Sequence, residues 1–341
     1  MDSTAGDSRI RRVGWLFDSR SKFDPGEMIR VLSGLGSVLS DEGCQVEPIE
    51  IMDLGKFEAT LRNFFVRRMR KKKPAFTRTT PNLPVTDLTE VTDSPVKVLP
   101  TRVFSWAGIS DASLSYYLSC YAQLSHTDLL IAPSGLRKKF LHRFRPSFSA
   151  ALSAESKVPV LVVGSEVKSE KPIRRILFPV IDPDENDTGF QNLLEFAQLS
   201  AAKITVLYRH SHEFANGSWS PVEQTQIGSV PFYDPEVMQA ENLRLKRISA
   251  WISRAKQQGI TVDLKLGTGS AGFTETILKH QKKFKYDLIA IDPSYLGPTH
   301  LRVDLFRAAH AARCPVFVPH PVGQSSTKEF LRKSLIRLAQ H

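Results

Sequence analysis

The sequence predicts an α/β protein of two tandem doubly wound (Rossmann-like) domains, each with a five-stranded parallel sheet. Three observations predict it. Apolar runs of strand length alternate with stretches of helical periodicity, the pattern of parallel strands joined by crossover helices. The 341 residues suit two domains, each large enough for its own core. Letters of the first half also return about 160 residues later, an offset of one whole domain. Arg11-Arg12-Val13 recurs as Arg174-Arg175-Ile176, Asp128 to Ser134 as Asp287 to Ser294 with one insertion, and Val158-Pro159-Val160 as Cys314-Pro315-Val316.

The first half opens with a predicted strand, Val13 to Phe17, followed by a helix from Pro25 to Leu39 and a strand at Val46 to Ile51. Phe57, Leu61, Phe64, Phe65 and Met69 recur at helical spacing, and a strand follows at Val96 to Leu99. A Pro- and Thr-rich stretch, Pro74 to Pro95, interrupts this half as a long loop. A helix around Leu114 to Leu124, a strand at Leu129 to Ala132, a helix near Phe148 to Ala154 and a strand at Val160 to Val163 complete it. Ser165 to Lys171 reads as a short polar linker.

The second half repeats this order. Ile176 to Ile181 is a near-continuous apolar run of buried-strand length, with Pro179 placed most easily near its end. Phe190, Leu193, Leu194, Ala197 and Ala201 form a helical stripe, Ile204 to Tyr208 a strand, and a polar loop runs to about Pro235. Leu243, Leu245, Ile248, Trp251 and Ile252 mark a second helix. Strands are predicted at Ile260 to Leu266, Leu288 to Ile291 and Val316 to Val318, with helices between them. The resulting division is 1–165, 173–322 and a helical tail, 323–341, with Phe330, Leu331, Leu335 and Leu338 on one stripe.

Composition excludes several classes. With 41% hydrophobic and 24% charged residues the chain is too apolar to be disordered. No apolar run approaches the ~20 residues of a membrane helix, so no membrane insertion is expected. The first twelve residues lack the apolar core of a signal peptide, so the cytoplasm is the expected location. Cys44, Cys120 and Cys314 lie far apart with no C-x-x-C pair, fitting a reducing compartment. The net charge of +11 favours acidic partners and says nothing about fold.

The order of strands and helices, read twice, resembles the universal stress protein family. The matching segments are Arg174-Arg175-Ile-Leu-Phe-Pro-Val180, Tyr286-Asp-Leu-Ile-Ala-Ile-Asp292 and Arg313-Cys-Pro-Val-Phe-Val318. Many members of that family bind ATP through G-x2-G-x9-G-[S/T] after the fourth strand. There, bare backbone N–H groups and a helix N-terminus receive phosphate. Here the register puts Pro133, Leu136, Pro146 and Ser147 at those positions in the first half, and Asp292, Tyr295, Arg302 and Val303 in the second. Only the hydroxyl of Ser147 survives, proline removes a donor, and a carboxylate at Asp292 would repel phosphate. An acidic residue after the first strand, a nucleoside contact in relatives, is matched by Asp18 and approximately by Asp182. The resemblance therefore implies a degenerate nucleotide-like site at Asp18, Ser19, Ser134, Gly135 and Ser147, and another at Asp182, Asp292 and Ser294. ATP or another adenine nucleotide remains conceivable, but the expected cofactor is none. Because the last strand mediates pairing in relatives, Val160, Val162, Val316 and Phe317 are expected to join the two domains within one chain, or two chains in a homodimer.

Four other motifs are weighed against plainer readings. Gly267-Thr-Gly-Ser-Ala-Gly272 is a literal G-x-G-x-x-G with Asp292 ending the next strand, a dinucleotide pattern. Its strand is only half apolar and third in its domain, and the plainer reading is a turn with Ser270 as helix N-cap. The basic run Arg67 to Lys73, with Arg62 nearby, could contact nucleic acid, but it lies opposite an apolar stripe, as a solvated helix face does. Nucleic acid is an unlikely partner, because no aromatic platform accompanies the run. His210 with His212 lack a third metal ligand, and His310 with Cys314 read as packing. The loop Asp182, Asp184, Glu185 and Asp187 reads as a polar turn. No P-loop or G-x-S-x-G elbow is present. The sequence thus points to a non-enzymatic stress-response protein that binds a small ligand or a protein partner. A dinucleotide-using enzyme and a basic nucleic-acid-associated protein are the rival readings.

Overall fold

The computed structural model describes residues 9–18, 25–39, 43–53, 96–106, 111–134, 148–164, 167, 171–183, 188–209, 235–267, 272–296 and 303–320. The basic run 67–73, the 74–95 stretch, His210, His212 and the 323–341 tail lie outside them. Eleven strands are described: β1 (Arg12–Asp18), β2 (Cys44–Asp53), β3 (Val96–Val98), β4 (Arg102–Trp106), β5 (Leu129–Pro133), β6 (Val160–Val163), β7 (Arg175–Val180), β8 (Lys203–Arg209), β9 (Val262–Gly267), β10 (Leu288–Ala290) and β11 (Val316–Val318). The seven described α-helices are α1 (Pro25–Leu35), α2 (Asp111–Leu124), α3 (Phe148–Glu155), α4 (Thr188–Leu199), α5 (Pro235–Gln257), α6 (Phe273–Phe284) and α7 (Leu305–Ala311).

All eleven strands form one sheet in the order β3-β2-β1-β5-β6-β11-β10-β7-β8-β9, with β4 also on β2. Each half places its first strand third from the outer edge and crosses back over it, the doubly wound order. Every pairing is parallel except the central one: β6 and β11 run antiparallel, with Val162 opposite Val316, Leu161 opposite Phe317 and Val160 opposite Val318. The two last strands, whose edges would otherwise be bare, thus cover each other. The result is a single continuous sheet, and the strands of the two halves run in opposite directions.

Helices cover both faces, so the inner strands are apolar on both sides, as their unbroken sequence runs require. Along β1, Val13 and Trp15 point to the face of α1, α4 and α5, while Leu16 points to that of α2, α3, α6 and α7. On each face the buried cluster runs through both halves. Leu161 joins Phe317 and Phe196 on one side, and Val162 joins Val316, Ala309 and Leu305 on the other. The Phe196 and Phe317 rings pack with centroids 4.6 Å apart.

Several expected boundaries shift for local reasons. The first helix stops at Leu35, and residues 36–38 form a 3-10 turn. The expected strand at 96–99 is two segments, β3 and β4, which pair with residues 44–46 and 49–53 of β2. Between those stretches lies Pro48, which has no N–H to offer the ladder, so the neighbouring chain leaves the sheet there and returns at Arg102. Pro179 sits fifth of six in β7, opposite Leu207 and beyond the two residues that pair with β10. Ala201 lies past the end of α4 with φ of 48°, so it belongs to the turn. Leu243 is half exposed on α5, whose buried stripe is Glu241, Ile248, Trp251 and Ala255. The N-cap of α6 is Gly272 rather than Ser270, because the helix begins at Phe273, and no side chain caps it.

Candidate functional site

In an open α/β sheet, ligands bind beyond the carboxyl ends of the strands where the strand order reverses. Here that crevice lies between β1 and β5 in the first half and between β7 and β10 in the second. Asp18 ends β1 and Ser134 follows β5, whereas Asp182 follows β7 and Asp292 follows β10. Of the residues singled out by the family resemblance, Asp18, Ser134, Asp182, Asp292 and Ser294 are described, and they stand at the carboxyl ends of these strands. Ser134 is buried, and its N–H donates to the Val163 carbonyl at 2.8 Å. The Asp18 side chain, Ser19, Gly135 and Ser147 lie outside the described residues, as do Asp184, Glu185 and Asp187.

The described edges of the second crevice are joined by the protein's own groups. The Tyr295 hydroxyl donates to the Asp182 carbonyl at 2.8 Å, joining the loop after β10 to the loop after β7 across the crevice. The Asp182 carboxylate accepts from Arg244 Nε at 2.8 Å. Arg244 also stands 3.5 Å from Glu241, a buried carboxylate that accepts from the Tyr208 hydroxyl at 2.7 Å. Arg247 donates to the Pro183 carbonyl at 3.1 Å. Burial, and then the hydrogen bond to Glu241, push the Tyr208 phenol well above its ordinary range, so it acts as a donor and never as a phenolate.

Asp292 is used twice. Its Oδ1 accepts from the Ser294 N–H at 2.8 Å and the Ser294 hydroxyl at 2.6 Å, capping the short 3-10 turn 293–295. Its side chain also lies against the first turn of α4, so closely that any side chain at Gly189 would collide with it. A helix N-terminus attracts anions, and here a carboxylate of the chain already occupies that field. The Asp292 carboxylate thus lies against this helix end as well as carrying charge. The space itself is taken.

The opposite ends of the strands carry a feature repeated in both halves. The Asp128 carboxylate accepts from the backbone N–H groups of Arg11 and Arg12 at 2.8 and 2.9 Å. Asp287 accepts from those of Arg174 and Arg175 at 3.0 and 2.9 Å. Two residues before each aspartate stands a left-handed residue, His126 with φ of 53° and Lys285 with φ of 54°. The Pro159 and Pro315 carbonyls likewise accept from Leu130 and Ile289. The first half adds a network of its own: buried Glu47 takes Arg12 at 2.9 Å and the Tyr121 hydroxyl at 2.6 Å, with Arg102 at 3.5 Å.

The rival motifs fare differently. The segment Gly267 to Gly272 follows β9, the outermost strand of its half, and two strands, β8 and β7, lie between β9 and β10. A dinucleotide site would bring its acidic residue on the adjacent strand, so Asp292 is not placed for that role. Burial, with Asp287 adding to it, pushes the Cys314 thiol far above the range of a nucleophile, and His310 is exposed. Cys44 is pushed up to about 11 by burial and Asp128. Among the described residues no three His, Cys, Asp or Glu side chains are grouped to hold a metal, and no helix is long and apolar enough to cross a membrane.

The residues that sequence reading missed are Tyr208, Glu241, Arg244, Arg247 and the reach of Tyr295. One signal was available. Glu241 stands seven residues before Ile248 and fourteen before Ala255, so a carboxylate occupies the buried stripe of α5.

Neither a protein-family model nor a curated protein sequence matches the chain. Solved structures do. A universal stress protein from Archaeoglobus fulgidus matches over 90% of this chain and 96% of its own, at 12% identity and a TM-score of 0.50. A protein of the universal stress protein family from Burkholderia pseudomallei matches over 45% of this chain and 96% of its own, at 18% identity and a TM-score of 0.29. The cytoplasmic domain of a prokaryotic cation chloride cotransporter matches over 94% of this chain and 99% of its own, at 10% identity and a TM-score of 0.41. The chain has the mixed α/β fold of the universal stress proteins.

Proposed function

We propose that this is a tandem, non-enzymatic protein of the universal stress type, with domains 1–165 and 173–322 paired inside one chain. It serves stress adaptation in the cytoplasm by binding a small ligand or a protein partner, and it does not rely on ATP. One observation carries the reading: the second crevice is bridged by Tyr295 and the Asp182 carbonyl, while Asp292 holds the anion position at α4. A triphosphate entering there would have to break that bridge and displace a carboxylate.

Equilibrium dialysis against labelled ATP tests this. The expected result is no retention at micromolar nucleotide by the whole protein. Micromolar retention by the whole protein would overturn it.

A further inference from the structure

A cavity of about 100 Å³ lies where the two halves meet, on the face of α1 and α4, away from both crevices. Its apolar lining comes from both halves: Ile10 and Val38 of the first, Phe196, Leu199 and Phe317 of the second. The two phenyl rings are the tilted pair at 4.6 Å. Around this lining stand Arg9, Asp128, Asn192, Glu195 and His320. An apolar pocket with a few converging polar groups is the ordinary form of a small-molecule site. A cavity of about 150 Å³ encloses benzene, so this smaller one, open on one side, seats part of a ring with the remainder at the surface.

Charge and shape narrow the ligand. His320 follows β11, is buried, and its Nε2 lies 2.8 Å from the Ser153 carbonyl of α3. Burial first, and Lys157 beside it, favour the neutral imidazole against the opposing pull of Ser153 and Asp292. The charges lining the cavity are then one guanidinium against the carboxylates of Asp128 and Glu195, a net excess of one negative charge. Asp128 already receives two backbone N–H groups, whereas Glu195 stands exposed at the mouth. Aromatic faces also attract cations.

We propose that this junction is a binding site for a small amphipathic amine, one ring or a short chain in size, with its apolar part against Phe196 and Phe317 and its ammonium toward Glu195. Because residues of both halves line the cavity, occupancy strengthens their pairing as well as filling the site. The proposal does not rest on the loss of ATP binding, since it uses the opposite ends of the first-half strands.

Saturation-transfer NMR on the full chain, with benzylamine, benzyl alcohol and benzoate as probes, tests it. Benzylamine should bind, and benzoate should bind at least about tenfold more weakly, the ratio equivalent to ~1.4 kcal/mol of charge preference. Glu195→Gln, a substitution at an exposed position, should reduce that preference while the alcohol is unaffected. Asn192→Trp, which adds an indole to the lining, should abolish binding of all three. The site is overturned if no probe receives saturation, if benzoate equals benzylamine, or if Asn192→Trp leaves binding intact while circular dichroism shows that the variant is folded.

Discussion

The two ends of the sheet's strands make a telling contrast. At the amino ends both halves use the same device: a carboxylate gathers two successive backbone N–H groups, preceded by a left-handed turn residue. At the carboxyl ends of the second half, Asp182 and Asp292 are absorbed by Arg244, Ser294 and the first turn of α4. The repeated end holds the fold together, because the aspartate ties the start of the first strand to the start of the fourth. The other end is where a related fold would take a ligand, and here its described residues are tied to one another by Tyr295 and Arg244.

The largest test of that contrast is at the join. Phe317→Ala should cost about 3–5 kcal/mol, as truncation of a buried phenyl does, and loosen the pairing of the halves. Denaturant unfolding gives the cost, and small-angle scattering should show a more extended particle. An unchanged profile and midpoint would contradict the role of β11. Next come the twin aspartates. Asp128→Ala and Asp287→Ala should each cost about 2 kcal/mol through charge-assisted bonds to partly exposed N–H groups. If the device is truly repeated, the two values agree within about 1 kcal/mol; a cost confined to one half would break the comparison.

The Glu47 network, found only in the first half, predicts an asymmetric response to acid. Burial alone would raise the Glu47 pKa, but hydrogen bonds from Tyr121 and Arg12 and the charges of Arg12 and Arg102 outweigh it, so the folded value lies below the ordinary 4.5. Its contribution to stability is therefore present above pH 4.5 and lost as pH falls through the lower folded value. Glu47→Gln should flatten the acid limb of stability below pH 4.5, measured by urea midpoints across pH, and leave the neutral region parallel. The smallest effect is a gain. Lys285→Gly relieves a left-handed backbone at an exposed residue and should raise stability by about 0.5–1 kcal/mol, with His126→Gly doing the same.

Much of the scaffold could be read from the letters. Val160 to Val163 and Val316 to Val318 are apolar without alternation, which marks strands buried on both faces, and the structure pairs them with each other. The repeated Arg-Arg and Asp-Leu segments turn out to be partners in the same hydrogen bonds. What escaped was long-range and polar. Arg244 meets Asp182 across 62 residues and Tyr295 reaches Asp182 across 113, and no periodicity encodes such meetings. The split of β3 from β4 escaped for a subtler reason: its cause, Pro48, lies in the neighbouring strand. The dinucleotide pattern at Gly267 to Gly272 stayed a rival in the letters because spacing along the chain does not reveal that two strands lie between β9 and β10.

Hydrogen–deuterium exchange with and without millimolar ATP addresses the central claim most directly. The closed crevice predicts unchanged protection in the peptides covering Ile181 to Pro183 and Ile291 to Leu296. ATP-dependent protection confined to those two segments would show that the crevice opens to nucleotide and would contradict the account.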